Sequence, residues 1–553
     1  MTIRRHHPTR ATGALVAAAL ALALTACTAG TTPSGSTDGT TAAEVSSPSI
    51  VEVAGGELLG YTDDGVHTFR GVPYATADRF QRSQPVPAWQ GVKPALTYGP
   101  TCSQSANDAV SLTEFINFSG ANLPQNEECL YANIWTKSVD AEAKKPVIVW
   151  IHGGGYSTGA SNELSFYDGR NIAATGDAVF VSVNHRLNVL GYTDLSSYGD
   201  EYADSGNLGQ LDLVDALAWV NENIDQFGGD PDNVTIIGQS GGGGKVLSLM
   251  GMPQAEGLFD RAIAMSPTTS WRDSVAAQAQ TDALWAAAGV APGDVAALST
   301  MPYLDLLAAA KEAGFQAGPV TGTDVLPEAP VTPEGTFTDV SSDVPLIVST
   351  VLGEFASNLG NMSYALNPTD PLNAYQPELS DSDIEVLLEE RYGDRADEAT
   401  AAFAKAYPGH EPHEVLWIED GSFFGGGRVL VSDARAAQDA APVYTAVTAK
   451  MLPVFGGVTP PHTGGDIPFW FLNADKMKHI IAGEEEQFFD LQQTMFGTIL
   501  AFARSGDPST DALEWPEYTT ADQSVMVFDT DSEARDHHEV ELYKLLAEVR
   551  AAS

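Results

Sequence analysis

Short apolar runs recur along the chain, each bounded by proline, glycine or polar residues. Pro146-Val-Ile-Val-Trp-Ile151, Ala178-Val-Phe-Val-Ser-Val183, Val234-Thr-Ile-Ile237, Val344-Pro-Leu-Ile-Val-Ser-Thr350 and Val443-Tyr-Thr-Ala-Val-Thr448 are such runs. They are short and rich in β-branched residues, which predicts buried strands. Between the second and third, Val214, Leu217, Ala218 and Ile224 recur at helical spacing with Trp219 among them. After the third, Lys245-Val-Leu-Ser-Leu-Met250 reads as a second helix. Strands alternating with helices over short connections predict an α/β fold, a largely parallel sheet with helices on its faces.

The third strand runs directly into Gly238-Gln239-Ser240-Gly241-Gly242. Strand, Gly-x-Ser-x-Gly and helix in succession is the order of a nucleophile elbow, where a sharp turn exposes a serine at the end of a sheet. In a chain with 52 glycines the five-residue pattern alone carries little weight; its position between strand and helix supplies the rest. The neighbouring glycines and Lys245 also invite comparison with a phosphate-binding loop. That register fails, because Gln239 stands where the first glycine belongs and Val246 where Ser or Thr should follow the lysine.

Arg4, Arg5 and Arg10, followed by an uncharged Ala/Leu run to Ala26, predict an export signal over residues 1–26. The run is too short for a comfortable membrane-spanning helix. Its end, Leu24-Thr25-Ala26-Cys27, resembles the lipobox of bacterial lipoproteins, which implies lipidation of Cys27 and a membrane contact through that anchor alone. The alternative is an ordinary signal cleaved near Ala26 and a secreted product. Residues 27–48, rich in Ser, Thr, Gly and Ala, predict a flexible tether, and residues 49–553 a single domain. The chain has 28 basic and 73 acidic residues; loss of the signal's three arginines leaves 25 against 73, net −48. Such a charge argues against nucleic acid or an anionic membrane surface as partner. Cys102 and Cys129 remain as an even pair in an exported protein, and a disulfide between them is the natural reading, two free thiols the alternative. His410 and His413 share a polar loop, but no further ligand follows at a metal-binding spacing, so no metal is expected.

Phe69-Arg-Gly-Val-Pro-Tyr-Ala75, Arg79-Phe80, Pro85-Val-Pro-Ala-Trp89 and Glu127-Glu-Cys-Leu-Tyr-Ala-Asn-Ile-Trp135 together resemble the type-B carboxylesterases, the family of the cholinesterases and para-nitrobenzyl esterases. His152-Gly-Gly-Gly-Tyr156, Asn184-His-Arg-Leu-Asn-Val-Leu-Gly191 and the closing Phe502-Ala-Arg-Ser-Gly-Asp-Pro508 extend the likeness over about residues 50–530. The resemblance implies an α/β-hydrolase fold with helical insertions around an active-site gorge. It pairs Cys129 with an upstream cysteine, in agreement with Cys102. It implies oxyanion donors at the N–H groups of Gly154, Gly155 and Gly241, where the family usually has alanine at the last position. It sets Glu354 on the triad acid, although Gly353 replaces the family's preceding aspartate. It sets His462 on the triad base, with one extra residue before Asp466. Ser240, Glu354 and His462 then follow the hydrolase order of serine, acid, histidine. His152, His185 and Arg186 are expected to be structural. The implied activity is hydrolysis of small-molecule carboxylic esters through an acyl-enzyme, without cofactor. Alternatives are a specialised ester or carbamate hydrolase and, in another class, a non-catalytic surface binding module. Oligomeric state is not legible.

Overall fold

The computed structural model describes residues 47–105, 123–354, 380–418, 424–454 and 460–552. The export segment, Cys27 and nearly all of the tether fall outside these residues.

Among the described residues one sheet gathers thirteen strands. In chain order they are β1 (Ser47–Val53), β2 (Gly56–Asp63), β3 (Val66–Pro73), β4 (Val92–Pro94), β5 (Tyr131–Thr136), β6 (Lys145–Ile151) and β7 (Val179–Val183). There follow β8 (Gly229–Gln239), β9 (Arg261–Met265), β10 (Leu346–Val351), β11 (Val443–Thr448), β12 (Val525–Phe528) and β13 (Glu533–Arg535). Their spatial order is β1-β2-β3-β5-β7-β6-β8-β9-β10-β11-β12-β13, with β4 beside β2. From β7 to β12 every neighbour pair is parallel; the flanks are antiparallel apart from β4. β1 opens two residues before the tether boundary that composition suggests.

The continuous apolar runs follow from burial on both faces of the parallel strands. Along β6, Val147, Val149 and Ile151 pack with Leu213, Leu217 and Val220 of the helix Leu208–Asn223 and with Val246, Leu247 and Met250 of the helix Gly241–Met250. Ile148 and Trp150 point the other way, into a core with Phe471 and, from the helix Glu485–Ser505, Met495 and Phe502. The Trp150 ring meets Phe471 edge-on at 5.0 Å, a preferred aromatic arrangement.

An ion pair, a disulfide and a histidine–carboxylate network tie the loops down. Arg186, just beyond β7, grips the fully buried Asp212 through Nε at 2.8 Å, a guanidinium amine at 2.7 Å and its own backbone N–H at 2.9 Å. Cys102 and Cys129 form a disulfide, which closes 27 residues and contributes about 3 kcal/mol on loop-entropy grounds. His410 lies between Glu414, 2.7 Å from Nδ1, and Asp529, 2.8 Å from Nε2. Both ring nitrogens donate to carboxylates, so the histidine works in an ion-pair network. Asp381–Tyr392, Ala396–Ala406 and Phe424–Ala436 are helices. Among the described residues no helix is long and apolar enough to cross a membrane.

Candidate active site

β8 ends at Gln239 and a helix begins at Gly241, so the whole change of direction falls on Ser240. Its backbone sits at φ 57°, ψ −125°, a conformation that costs a non-glycine residue about 1–3 kcal/mol. The Ser240 N–H donates to the Met265 carbonyl at 2.8 Å, and its carbonyl accepts from the Gly244 N–H at 3.0 Å. These bonds fix the turn from β9 on one side and from the helix on the other. Ser240 remains half-buried between buried neighbours.

The close approach of chains explains the glycines that follow. A Cβ on Gly242 would come within 2.8 Å of the His152 carbonyl oxygen, and one on Gly241 would overlap the Cα, C and O of Gly155. The start of the helix therefore lies directly on the end of β6 and on the loop it releases. In that loop Gly154 and Gly155 have φ of 82° and 62°, open to glycine and uncommon for other residues. The Gly154 carbonyl accepts from the Thr158 N–H at 3.1 Å. Among the described residues the N–H groups of Gly154 and Gly155 donate to no protein acceptor. Gly241 is the first residue of its helix, where an N–H has no intrahelical acceptor. A Cβ on Gly153 would stand 3.5 Å from Ser240 Cβ, so the loop borders the serine.

Glu354 ends a tight turn after β10 and is buried. Its Oε1 accepts from Ser266 Oγ at 2.6 Å and from the Val351 N–H at 3.0 Å. The loop of His462 is bound to the same turn in both directions. The Thr463 N–H donates to the Glu354 carbonyl at 3.2 Å, and the Gly353 N–H donates to the Pro461 carbonyl at 3.0 Å. On its other side Thr463 Oγ1 accepts from the Gln239 side-chain amide at 2.7 Å. The residue before Ser240 thus holds the residue after His462, which in turn holds Glu354. In the histidine loop Gly464 has φ 77°, and the Gly465 N–H closes the turn on the His462 carbonyl at 2.7 Å.

Burial pushes His462 down to about 4, against the opposite pull of the Pro460 carbonyl. The imidazole is therefore neutral at neutral pH, the form that can accept a proton. Asp466, which takes the Trp470 indole N–H at 2.8 Å, is raised by burial to about 6. His152 is buried and stacked on His185 at 4.8 Å, and each uses Nδ1 on a neighbouring carbonyl at 3.0 Å. Neither is joined to the Ser240 turn by a side-chain bond, in keeping with a structural part.

Two of these partners, the Ser266 hydroxyl and the Gln239 side-chain amide, were not legible in the sequence. Ser266 follows directly on β9, the strand that neighbours β10, whose end carries Glu354.

The described residues contain no group of three or more His, Cys, Asp or Glu arranged to hold a metal ion. Ser240, the glycine loop, Glu354 and His462 instead provide a nucleophile candidate, N–H donors, a carboxylate and a neutral base. The carboxylesterase family model matches residues 47–545. The para-nitrobenzyl esterase of Bacillus subtilis (strain 168) is 32% identical over 501 residues, covering 87% of this chain and 95% of that esterase. Phenmedipham hydrolase of Pseudarthrobacter oxydans is 32% identical over 496 residues, covering 86% and 94%. A solved esterase from anaerobic Clostridium hathewayi, which can hydrolyze aliphatic aromatic polyesters, superposes with a TM-score of 0.81 at 35% identity. That superposition covers 91% of this chain and all of the other. A match that starts at the first described strand and reaches into the last helix, with relatives aligned over almost their full length, means that the chain belongs to the carboxylesterase family.

Proposed function

We propose that the protein hydrolyses small carboxylic esters through an acyl-enzyme on Ser240. The Ser240 oxygen attacks the ester carbonyl as His462 takes its proton. The tetrahedral oxyanion is held by the N–H groups of Gly154, Gly155 and Gly241. Collapse expels the alcohol, which takes the proton back from His462. Water, deprotonated by His462, then adds to the acyl group, and the acid leaves Ser240 as the serine oxygen regains its proton. Glu354 keeps the imidazole in the required tautomer and offsets its positive charge while it is protonated. The observation that carries this reading is the strained Ser240 turn, tied through Gln239 to the histidine loop and through that loop to Glu354.

The test is a fluorophosphonate label with peptide mapping, together with turnover of a short para-nitrophenyl ester. A label on Ser240 that abolishes turnover supports the mechanism. A folded protein with neither label nor turnover refutes it and favours a binding module. The names of the relatives supply the first substrate panel: a para-nitrobenzyl ester, phenmedipham and an aliphatic–aromatic polyester. We further propose export and lipidation at Cys27, on the lipobox likeness of residues 24–27. A mature N-terminus without an acyl mass on Cys27 overturns that proposal.

A further inference from the structure

Lys245 sits in the helix that follows the elbow and is fully buried. Its Nζ donates to the His152 carbonyl at 3.0 Å and lies 5.6 Å from the centre of the Tyr156 ring. His152 and Tyr156 are the two ends of the Gly153–Gly155 loop, so one side chain reaches both. The loop is held through its carbonyls, since its three glycines carry no side chains. The Gly154 carbonyl accepts from Ser157 and Thr158, the Gly153 carbonyl is bonded by His152 Nδ1, and the His152 carbonyl accepts from Lys245, the one side chain from beyond residues 152–158 among these.

A buried ammonium is a cost to folding unless paired, and a methionine of similar length would fill the same space without it. The acid that acts on Lys245 is Glu163, half-buried and not hydrogen-bonded to it. The other titratable groups that face it are the stacked His152 and His185, and Tyr156. Burial pushes both histidines well below their usual range, so they add no charge at neutral pH. Burial likewise raises Tyr156 to about 12 and Glu163 to about 7. Lys245 itself is lowered by burial to about 7, with Glu163 pulling the other way.

We propose that Lys245 is a positioning residue of the oxyanion loop: its bond to the His152 carbonyl sets the plane of the His152–Gly153 peptide and so the direction of the Gly154 and Gly155 N–H groups. The inference rests on the reading of those groups as oxyanion donors. Lys245 touches no reacting atom and acts only through the backbone it holds.

The test compares wild type with Lys245→Met, which keeps the length and loses the donor, and Lys245→Gln, which keeps a neutral donor. The readouts are kcat and KM on a para-nitrophenyl ester and affinity for an aryl trifluoromethyl ketone, which adds the Ser240 oxygen to give an anionic hemiketal. Lys245→Met should lower kcat by about 10- to 100-fold and weaken the ketone by the same factor, with KM little changed. Lys245→Gln should recover most of that loss. The wild-type advantage over Lys245→Met should hold on both sides of about pH 7, because the amine left when the ammonium loses its proton still donates to the His152 carbonyl. A purely structural lysine would move the thermal midpoint and leave kcat and ketone affinity alone. Wild-type kcat in a folded Lys245→Met protein, with Ser240→Ala inactive, overturns the inference and leaves the mechanism standing. Turnover in Ser240→Ala overturns the mechanism, and the inference with it. Should Lys245→Met fail to fold, Lys245→Leu takes its place: a loss of about tenfold or more in both kcat and ketone affinity supports the proposal, and values within about threefold of wild type overturn it.

Discussion

Replacement of Gly241 by alanine separates the geometry of this loop from that of its relatives. The new methyl group would overlap the Cα, C and O of Gly155. The helix cannot give way easily. Ser240 is bonded to Met265 and to Gly244, and Gly242 already packs so tightly that its own Cβ would crowd the His152 carbonyl. Gly155 has open space beside it and must move, by a little over ~1 Å if ordinary van der Waals distances are to be restored. A displacement of that size takes an N–H donor out of the productive range of about 2.7–3.1 Å. Loss of one donor costs about 3 kcal/mol, so kcat for Gly241→Ala should fall about 100-fold. KM should hardly change, because the donors act on charge that exists only in the transition state. Steady-state kinetics on a para-nitrophenyl ester, with a thermal melt to establish folding, measures both. A variant with kcat within about threefold of wild type and an unchanged melt refutes the reasoning. It would mean that the loop settles with its donors still aimed, as relatives with alanine at this place must manage.

Ser240→Ala should abolish ester turnover and fluorophosphonate labelling while the thermal melt stays near wild type. Glu354→Gln should be severely impaired but less so than Ser240→Ala, and wild-type activity in either removes that residue from the mechanism. Because burial holds His462 near 4, kcat/KM should keep its plateau down to about pH 5; an acid limb near 6.5 would mean that a carboxylate charge outweighs burial. Arg186→Ala strands the buried Asp212 charge and should lower stability by about 3–5 kcal/mol in a denaturant titration, whereas a loss under 1 kcal/mol would count against the pairing. Burial alone would lower His410, but Asp529 and Glu414 raise it to about 9, so its contribution is complete below about 6.5 and is lost as pH rises through 9. That contribution is of order 3 kcal/mol, and the stability gap between wild type and His410→Ala should therefore close above about pH 9.

Four parallel strands, β6, β7, β10 and β11, were legible to within about two residues because burial on both faces makes each an unbroken apolar run. β9 and β12 were not read as strands, and β8 was read short. Gly229-Asp-Pro-Asp-Asn233 has the composition of a turn, yet Lys145 pairs with Gly229 across a register shift before the regular ladder begins at Val147 and Val234. The helix after Ser240 was read from Lys245, since four glycines argue against helix by propensity; it begins at Gly241 because packing against β6 admits nothing larger. Ser240 was legible from local pattern. Glu354 and His462 were reached only by resemblance, since the bonds that join them link peptides 109 residues apart, Thr463 to Glu354. Periodicity carries no record of such a bond, nor of the hydroxyl of Ser266 or the amide of Gln239.

The glycine run before Lys245 shows why a phosphate loop and this elbow can look alike in sequence and differ in chemistry. Both need backbone without side chains near a lysine, but the object approached is different. In a phosphate loop the glycines free N–H groups to surround an anion, and the lysine reaches that anion too. Here the glycines let one backbone lie on another: Gly241 on Gly155 and Gly242 on the end of β6. A Cβ on Gly244 would come within 2.6 Å of the Tyr156 hydroxyl, so its absence leaves that ring room beside Lys245. The lysine then points at a peptide carbonyl in the buried interior. The same short pattern therefore organises a wall of contacts behind the serine, and substitutions in it should act on loop geometry before they act on any bound group.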